Sequence, residues 1–364
     1  MSIKKTEFKI ELILLACFLF LFVRALPEVT AQWGGSKTEQ QTGKDTAKKP
    51  DEPENQMMVV EYVAGNDILL AREAGVFIAT PTPVPTQVPT AVPTPTYAPE
   101  PEDTIRVADI IGKKYILEDL QDITYLKDNF YIVNASTKMT KEEFDAEYFI
   151  SKDLSLSKQT DSPQILIFHT HASEGFADSR AGESADTVVG VGTLLTKILQ
   201  EKYGYNVLHD TTVFDRKNGK DNRNYAYNDA LVHLKKLLEE NPTIEVIIDL
   251  HRDAGAKRVT TINGKQTAKV MLFNGICRNI NGKQAHLPNE NLQDNLAFSF
   301  QMKLIGDEMY PGLMNRIFLK DYRYNMHLAE RFLLIELGTE KNTVEEAMNA
   351  MEPLADVLHQ VLGG

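Results

Sequence analysis

The sequence predicts an α/β domain: a mixed, mostly parallel central sheet with helices on both faces. Short apolar runs at 164–169 (Q-I-L-I-F-H), 244–250 (I-E-V-I-I-D-L) and 332–337 (F-L-L-I-E-L) have the length of interior strands rather than helices. Longer stretches with helical apolar spacing separate and follow them, at 186–202, 224–240, 289–310 and 343–362. Each apolar run also ends in a cluster of imidazoles or carboxylates, and in α/β sheets functional groups gather at strand ends. Strands separated by helices imply a sheet covered on both sides.

The first element in chain order is an export segment. Lys4, Lys5 and Lys9 precede an apolar stretch at 12–23, which Arg24 and Pro27 close. The run is short for a spanning helix, which needs about 20 residues, but Ile10, Ala25 and Leu26 extend it and Lys9 and Arg24 can snorkel. An uncleaved membrane anchor at 1–27 is the favoured reading, and a removed signal peptide is the alternative. Either way the positive-inside rule puts the remainder outside the cytoplasm, tethered to the membrane in the first case.

Residues 28–103 form a linker by composition: polar and charged first, then a Pro/Thr run at 80–96. Proline lacks the amide hydrogen and fixes φ, so the run is expected as a semi-stiff polyproline-II spacer rather than helix or interior strand. A Pro-rich docking ligand is the rival reading, though the run lacks interspersed basic residues. The intermittently apolar patch at 57–79 is a candidate local helix or contact element.

The pattern becomes globular at 104–364. A short strand and helix are expected within 105–157, with Y-I-V at 131–133 as the strand, and further strands at 205–209 and 270–274. The formal net charge of −12 argues against a nucleic-acid binder, which needs a basic face. Cys17 lies in the apolar N-terminal run and Cys277 stands alone, so no disulfide is expected within the soluble region.

The strand ends carry the chemistry. The run at 165–168 leads into H-T-H-A-S-E, that at 246–248 into D-L-H-R-D, and that at 333–335 into E-L-G-T-E-K-N. Zinc takes imidazole nitrogens and a carboxylate oxygen, with one position left for water. His171 and Glu174, three apart, can face one point on a single turn, and His251 supplies a third ligand from another strand end. Glu336 then acts as general base and acid. His169 reads as a hydrogen-bonded neighbour of the site rather than a ligand, and Asp249 or Asp253 can orient the far nitrogen of His251. Arg252 either neutralises Asp253 or reaches a substrate carboxylate. His209, His233, His286, His327 and His359 need no more than surface or packing roles.

These residues resemble the stage II sporulation protein P family, whose catalytic core is similar to that of zinc-dependent N-acetylmuramoyl-L-alanine amidases. The matching elements are H-T-H-A-S-E at 169–174, H-D-T-T-V at 209–213, D-L-H-R-D at 249–253 and E-L-G-T at 336–339, within a likeness that covers about 105–364. The amidases' D-P-G-H aligns with His171, their S-I-H-x-N with 249–253 and their E-x-G-x-x-x-N with Glu336 through Asn342. One departure concerns the carboxylate ligand, which the amidases take from the start of the following helix, where this chain has Ser184 beside Glu183; Glu183 is therefore the reserve for Glu174. The resemblance implies Zn²⁺ as cofactor, peptidoglycan as substrate, amidase and endopeptidase activity in engulfment of the forespore, and the stage II sporulation proteins D and M as partners. The alternatives are a catalytically silent wall-binding scaffold and a zinc carboxypeptidase-type hydrolase using His171-x-x-Glu174.

Overall fold

The computed structural model describes residues 105–111, 114–156 and 161–363. The expected anchor at 1–27, the linker at 28–103 and the patch at 57–79 lie outside the described residues. No helix among the described residues is long and apolar enough to cross a membrane.

Four short helices open the fold: α1 (Val107–Ile110), α2 (Leu117–Leu120), α3 (Ile123–Asn129) and α4 (Ala146–Ser151), with β1 (Tyr131–Val133) between the last two. Asp122 and Asp145 cap α3 and α4 by accepting backbone amides of their first turns. There follow β2 (Ile165–Phe168), α5 (Val188–Glu201), β3 (Val207–His209), the ribbon β4 (Arg216–Lys217) and β5 (Lys220–Asp221), and α6 (Ala226–Glu240). Next come β6 (Val246–Asp253), the hairpin β7 (Val259–Ile262) and β8 (Lys265–Ala268), β9 (Val270–Gly275), and the ribbon β10 (Arg278–Asn279) and β11 (Gly282–Lys283). The chain ends with α7 (Leu292–Met309), β12 (Ile317–Lys320), β13 (Arg331–Thr339), α8 (Val344–Met348) and α9 (Met351–Val361).

The main sheet has the order β1-β12-β9-β13-β6-β2-β3. Neighbours run parallel except at β9 and β13, which are antiparallel, so two parallel blocks meet at one seam. The sheet is mixed and mostly parallel, with helices on both faces.

Alternation along the strands sorts side chains to those faces. Ile165, Ile167, Val246, Ile248, Leu250, Leu333, Ile335 and Leu337 join one apolar cluster with α5, α7 and α9. Leu166, Phe168, Ile247, Phe332 and Leu334 join a second with Ala226, Tyr227, Ala230 and Leu234 of α6. The first face is thickly covered and the second thinly. Helix α7 is buried throughout residues 295–306, polar ones included, because it is enclosed between the sheet and other helices. Two of its buried polar side chains reach backbone carbonyls: Asn295 donates to those of Ala329 and Glu330, and Gln301 to those of Phe149 and Lys152.

Three expectations need correction. The helix expected at 343–362 is two helices, because Pro353 has no N–H for the Asn349 carbonyl and its ring crowds that carbonyl, so the chain breaks at Asn349–Ala350. The 105–157 region holds four short helices, not one. Strand β12, which lies between β1 and β9, was absent from the expected strand set: its four residues alternate between buried and half-buried and end in a lysine, too short a signal for periodicity.

Gly275 closes β9 where a Cβ would stand 2.2 Å from the Tyr322 carbonyl oxygen. Gly275→Ala is therefore expected to destabilise the fold by about 1–3 kcal/mol, read as a lower urea midpoint, since backbone rather than a flexible side chain must move. An unchanged midpoint would show that the 322–324 loop yields freely.

Candidate active site

Period-two alternation extends the second face of the sheet into polar residues. On β6, Ile247 is followed on the same face by Asp249 and His251; on β13, Phe332 and Leu334 are followed by Glu336. Parallel pairing sets Glu336 opposite His251 and Leu334 opposite Asp249, and β2 sets Phe168 opposite Asp249. The strands thus deliver two carboxylates and an imidazole to one patch of the thinly covered face.

The loop after β2 adds the rest. Glu174 N–H donates to the His171 carbonyl at 3.1 Å, which makes the turn that brings these two side chains round together. Asp249 receives the Thr170 amide at 2.8 Å and its hydroxyl at 2.7 Å, so the threonine between the two histidines ties the loop to β6. Asp249 Oδ1 also lies 2.7 Å from His251 Nε2, a charge contact off the line of a regular hydrogen bond. On the other side of that ring, Nδ1 is 3.4 Å from Glu174 Oε2.

Glu174 is 4 % exposed and held on both oxygens: Oε1 accepts from Arg223 Nη2 at 2.9 Å, and Oε2 from the Arg252 amide at 3.0 Å. Burial alone would raise its pKa, but His251, His171 and Arg252 outweigh that and hold the carboxyl low. For His251, burial is overcome by Asp249 and Glu174, which raise its pKa well above the ordinary value. His171 goes the other way: burial, then the neighbouring His251, lowers it to about 3 and keeps the imidazole neutral. Burial likewise pushes the Glu336 carboxyl up, with Glu174 and Asp253 adding to the effect and His251 opposing it.

The remaining expected residues divide. His169 is buried; its Nδ1 is 2.8 Å from the Leu250 carbonyl, so that nitrogen donates, and Nε2 is left to accept from His209 Nε2 at 2.9 Å. His209 therefore has a specific partner, beyond the general packing role expected of it. Gly192 of α5 makes room for this pair, since a Cβ there would meet both rings at 2.8–2.9 Å. Asp253 pairs with Arg258 at 2.6 Å rather than with His251, whose far nitrogen faces Asp249. Arg252 donates through Nε to the Gly175 carbonyl at 3.0 Å and approaches Glu174 at 3.7 Å, so it serves the loop and does not pair with the Asp253 carboxylate. Glu183 is exposed at the start of the turn at 184–186, and the carboxylate that faces His251 Nδ1 is that of Glu174.

Two residues escaped sequence reasoning. Tyr227, in the first turn of α6, packs edge-on against His171 at 5.6 Å and lies nearly parallel to His251 at 6.4 Å. Arg223 reaches Glu174 from the segment before that helix. Neither carries a local signal; each meets the site only through the path of the chain between β3 and α6.

A divalent ion can be tested against this geometry. Two N/O ligands on a tetrahedral zinc stand about 3.4 Å apart, and two bound imidazoles have ring centres about 5.2 Å apart, for bonds of about 2.1 Å. The Glu174–His251 distance is 3.4 Å and the His171–His251 ring separation is 5.3 Å. Both nitrogens of His171 and Oε2 of Glu336 are buried with no hydrogen-bond partner, which is how donors awaiting a ligand look. As they stand, no three His, Cys, Asp or Glu side chains among the described residues close into a complete metal site. The donor set and these two spacings fit a zinc ion.

The sequence model of one family, Stage II sporulation protein P (SpoIIP), matches residues 102–359. The chain belongs to this family. The stage II sporulation protein P of Bacillus subtilis (strain 168) is 30 % identical over 223 residues, 56 % of this chain and 53 % of the relative, so the chain spans about half the length of that family member. Among solved structures, the N-acetylmuramoyl-L-alanine amidase of Clostridium difficile 630 overlaps 56 % of this chain and 96 % of its own, at 13 % identity and a TM-score of 0.34. The apo form of the amidase Ami1 of Mycobacterium abscessus overlaps 55 % and 97 %, at 12 % identity and a TM-score of 0.33.

Proposed function

We propose that the chain is a zinc-dependent peptidoglycan hydrolase of sporulation, an N-acetylmuramoyl-L-alanine amidase that cuts the bond between the lactyl group of muramic acid and L-alanine. The observation that carries the reading is the meeting of His171, Glu174, His251 and Glu336 on one face, with the His171 nitrogens buried and unpartnered. Membership of a sporulation family supports the setting.

His171, Glu174 and His251 would hold the zinc, which when bound polarises a carbonyl and makes a water molecule acidic enough to attack near neutral pH. The protein's own groups do the rest. Asp249 fixes the orientation of His251, and Thr170 fixes Asp249. Glu336, across the strand pair from His251, accepts the proton of the attacking water and passes it to the leaving nitrogen. Cross-link endopeptidase activity, a membrane tether that holds the domain outside the cytoplasm, and the stage II sporulation proteins D and M as partners belong to the same proposal.

Metal analysis of the purified chain and mass spectrometry of products from defined peptidoglycan test it. The expected result is one zinc per chain and release of intact stem peptides with a free L-alanine amino group, both abolished by a chelator and restored by zinc. Products trimmed from the peptide's carboxyl end would replace the amidase with a carboxypeptidase; binding to sacculi without release would leave a scaffold.

A further inference from the structure

Three arginines stand around the site, and they are differently committed. Arg252 is engaged by the Gly175 carbonyl at 3.0 Å and the Asp253 carbonyl at 3.4 Å. Arg258 faces the Asp253 carboxylate at 2.6 Å, which neutralises it. Arg223 donates to Glu174 through Nη2, and 30 % of its side chain is exposed. A guanidinium carries five N–H donors in a fixed fork, and the contact with Glu174 uses Nη2 alone. Glu174 is also approached by Arg252 at 3.7 Å. Two guanidinium groups share one carboxylate, and Arg223 is the more exposed of the two.

The segment that carries Arg223 is pinned. Asp215 accepts both the amide and the hydroxyl of Ser173, in the same loop as His171 and Glu174. Asn222 donates to the Phe214 carbonyl at 2.8 Å and to Asp229 at 2.9 Å, and Phe214 is buried in the second apolar cluster. Arg223 is therefore a held cation with spare donors beside the reacting centre, the arrangement that recognises an anion by a forked contact.

We propose that Arg223 recognises a carboxylate of the substrate's stem peptide, so that the chain discriminates acidic from amidated peptides. The inference rests on the amidase reading above. In a muramoyl peptide the L-alanine at the scissile bond is followed by a D-isoglutamyl residue, whose α-carboxyl is replaced by a carboxamide in amidated walls. A carboxylate accepts two parallel N–H bonds from a guanidinium; a carboxamide offers one acceptor and turns an NH₂ toward the cation.

The experiment measures kcat/KM of the full chain for two muramoyl peptides that differ only in α-carboxyl against α-carboxamide, using wild type, Arg223→Gln and Arg223→Lys, with zinc content determined alongside. Wild type is expected to favour the acid by about 10- to 100-fold, the value of one charged hydrogen-bonded contact. Arg223→Gln is expected to lose that preference, slowing the acidic substrate more than the amidated one, mainly through KM, and Arg223→Lys to keep part of it. Equal losses on both substrates, or a preference that survives in Arg223→Gln, would overturn the inference, while cleavage of both by wild type keeps the amidase reading. If wild type cleaves neither, the amidase reading falls and takes this inference with it.

Discussion

Replacing Glu336 with glutamine is expected to slow amide hydrolysis by about 10²- to 10⁴-fold while leaving the fold and the zinc content intact. The side chain stands across the strand pair from His251, and its Oε2 is shut off from solvent without a partner. Glutamine keeps the volume and one acceptor but cannot take a proton at the attacking water or return it to the leaving nitrogen. Since β13 is buried along most of its length, the backbone has little reason to shift. Peptide release, circular dichroism and metal analysis on the same preparation separate the effects. Release within about threefold of wild type would remove Glu336 from proton transfer, and parallel loss of zinc would make it a ligand.

Arg278→Met is expected to cost about 3–5 kcal/mol of folding free energy, the largest stability effect outside the sheet core. Arg278 is 7 % exposed, and its guanidinium reaches Glu143 twice, through Nε at 2.9 Å and Nη2 at 2.6 Å, with Glu142 at 3.2 Å. Glu143 is 2 % exposed, so loss of the arginine strands a carboxylate with little water to solvate it. Lys283 approaches it at 3.7 Å, but from an exposed position, and offsets little. The pair joins the segment before α4 to the ribbon after β9, 135 residues away in the chain. Urea unfolding of Arg278→Met, Glu143→Met and the double variant forms a cycle. The double variant is expected to recover most of the loss, because two packed methionines leave no unpaired charge. A single variant near wild-type stability would show that Glu143 finds another partner.

Much of the frame was legible in the sequence because interior strands of a mostly parallel sheet are continuous apolar runs, and β2, β6 and β13 are of that kind. The polar residues just past those runs were legible for the same reason: an imidazole or carboxylate at the end of such a strand is conspicuous. What stayed hidden depended on distance in the chain. Nothing near Arg223 or Tyr227 shows that the path from β3 to α6 bends back over the His171 loop. His209 looked like one of several unremarkable histidines until the pairing of β2 with β3 set its ring against His169. The hairpin of β7 and β8 did carry a signal, Asn263-Gly264, both with positive φ as a tight two-residue turn requires. It went unused because the flanking residues are too polar to read as core strands.

The two-residue rhythm of β6 has a consequence for how this chain can vary. Inserting or deleting one residue between Val246 and Asp249 would turn Leu250 and Arg252 toward the reactive patch and send Asp249 and His251 into the packed helical layer. Length change in that stretch is thus all or nothing: the strand would lose its chemistry and its hydrophobic seating in one event, whereas the exposed 216–221 ribbon can lengthen or shorten without disturbing either.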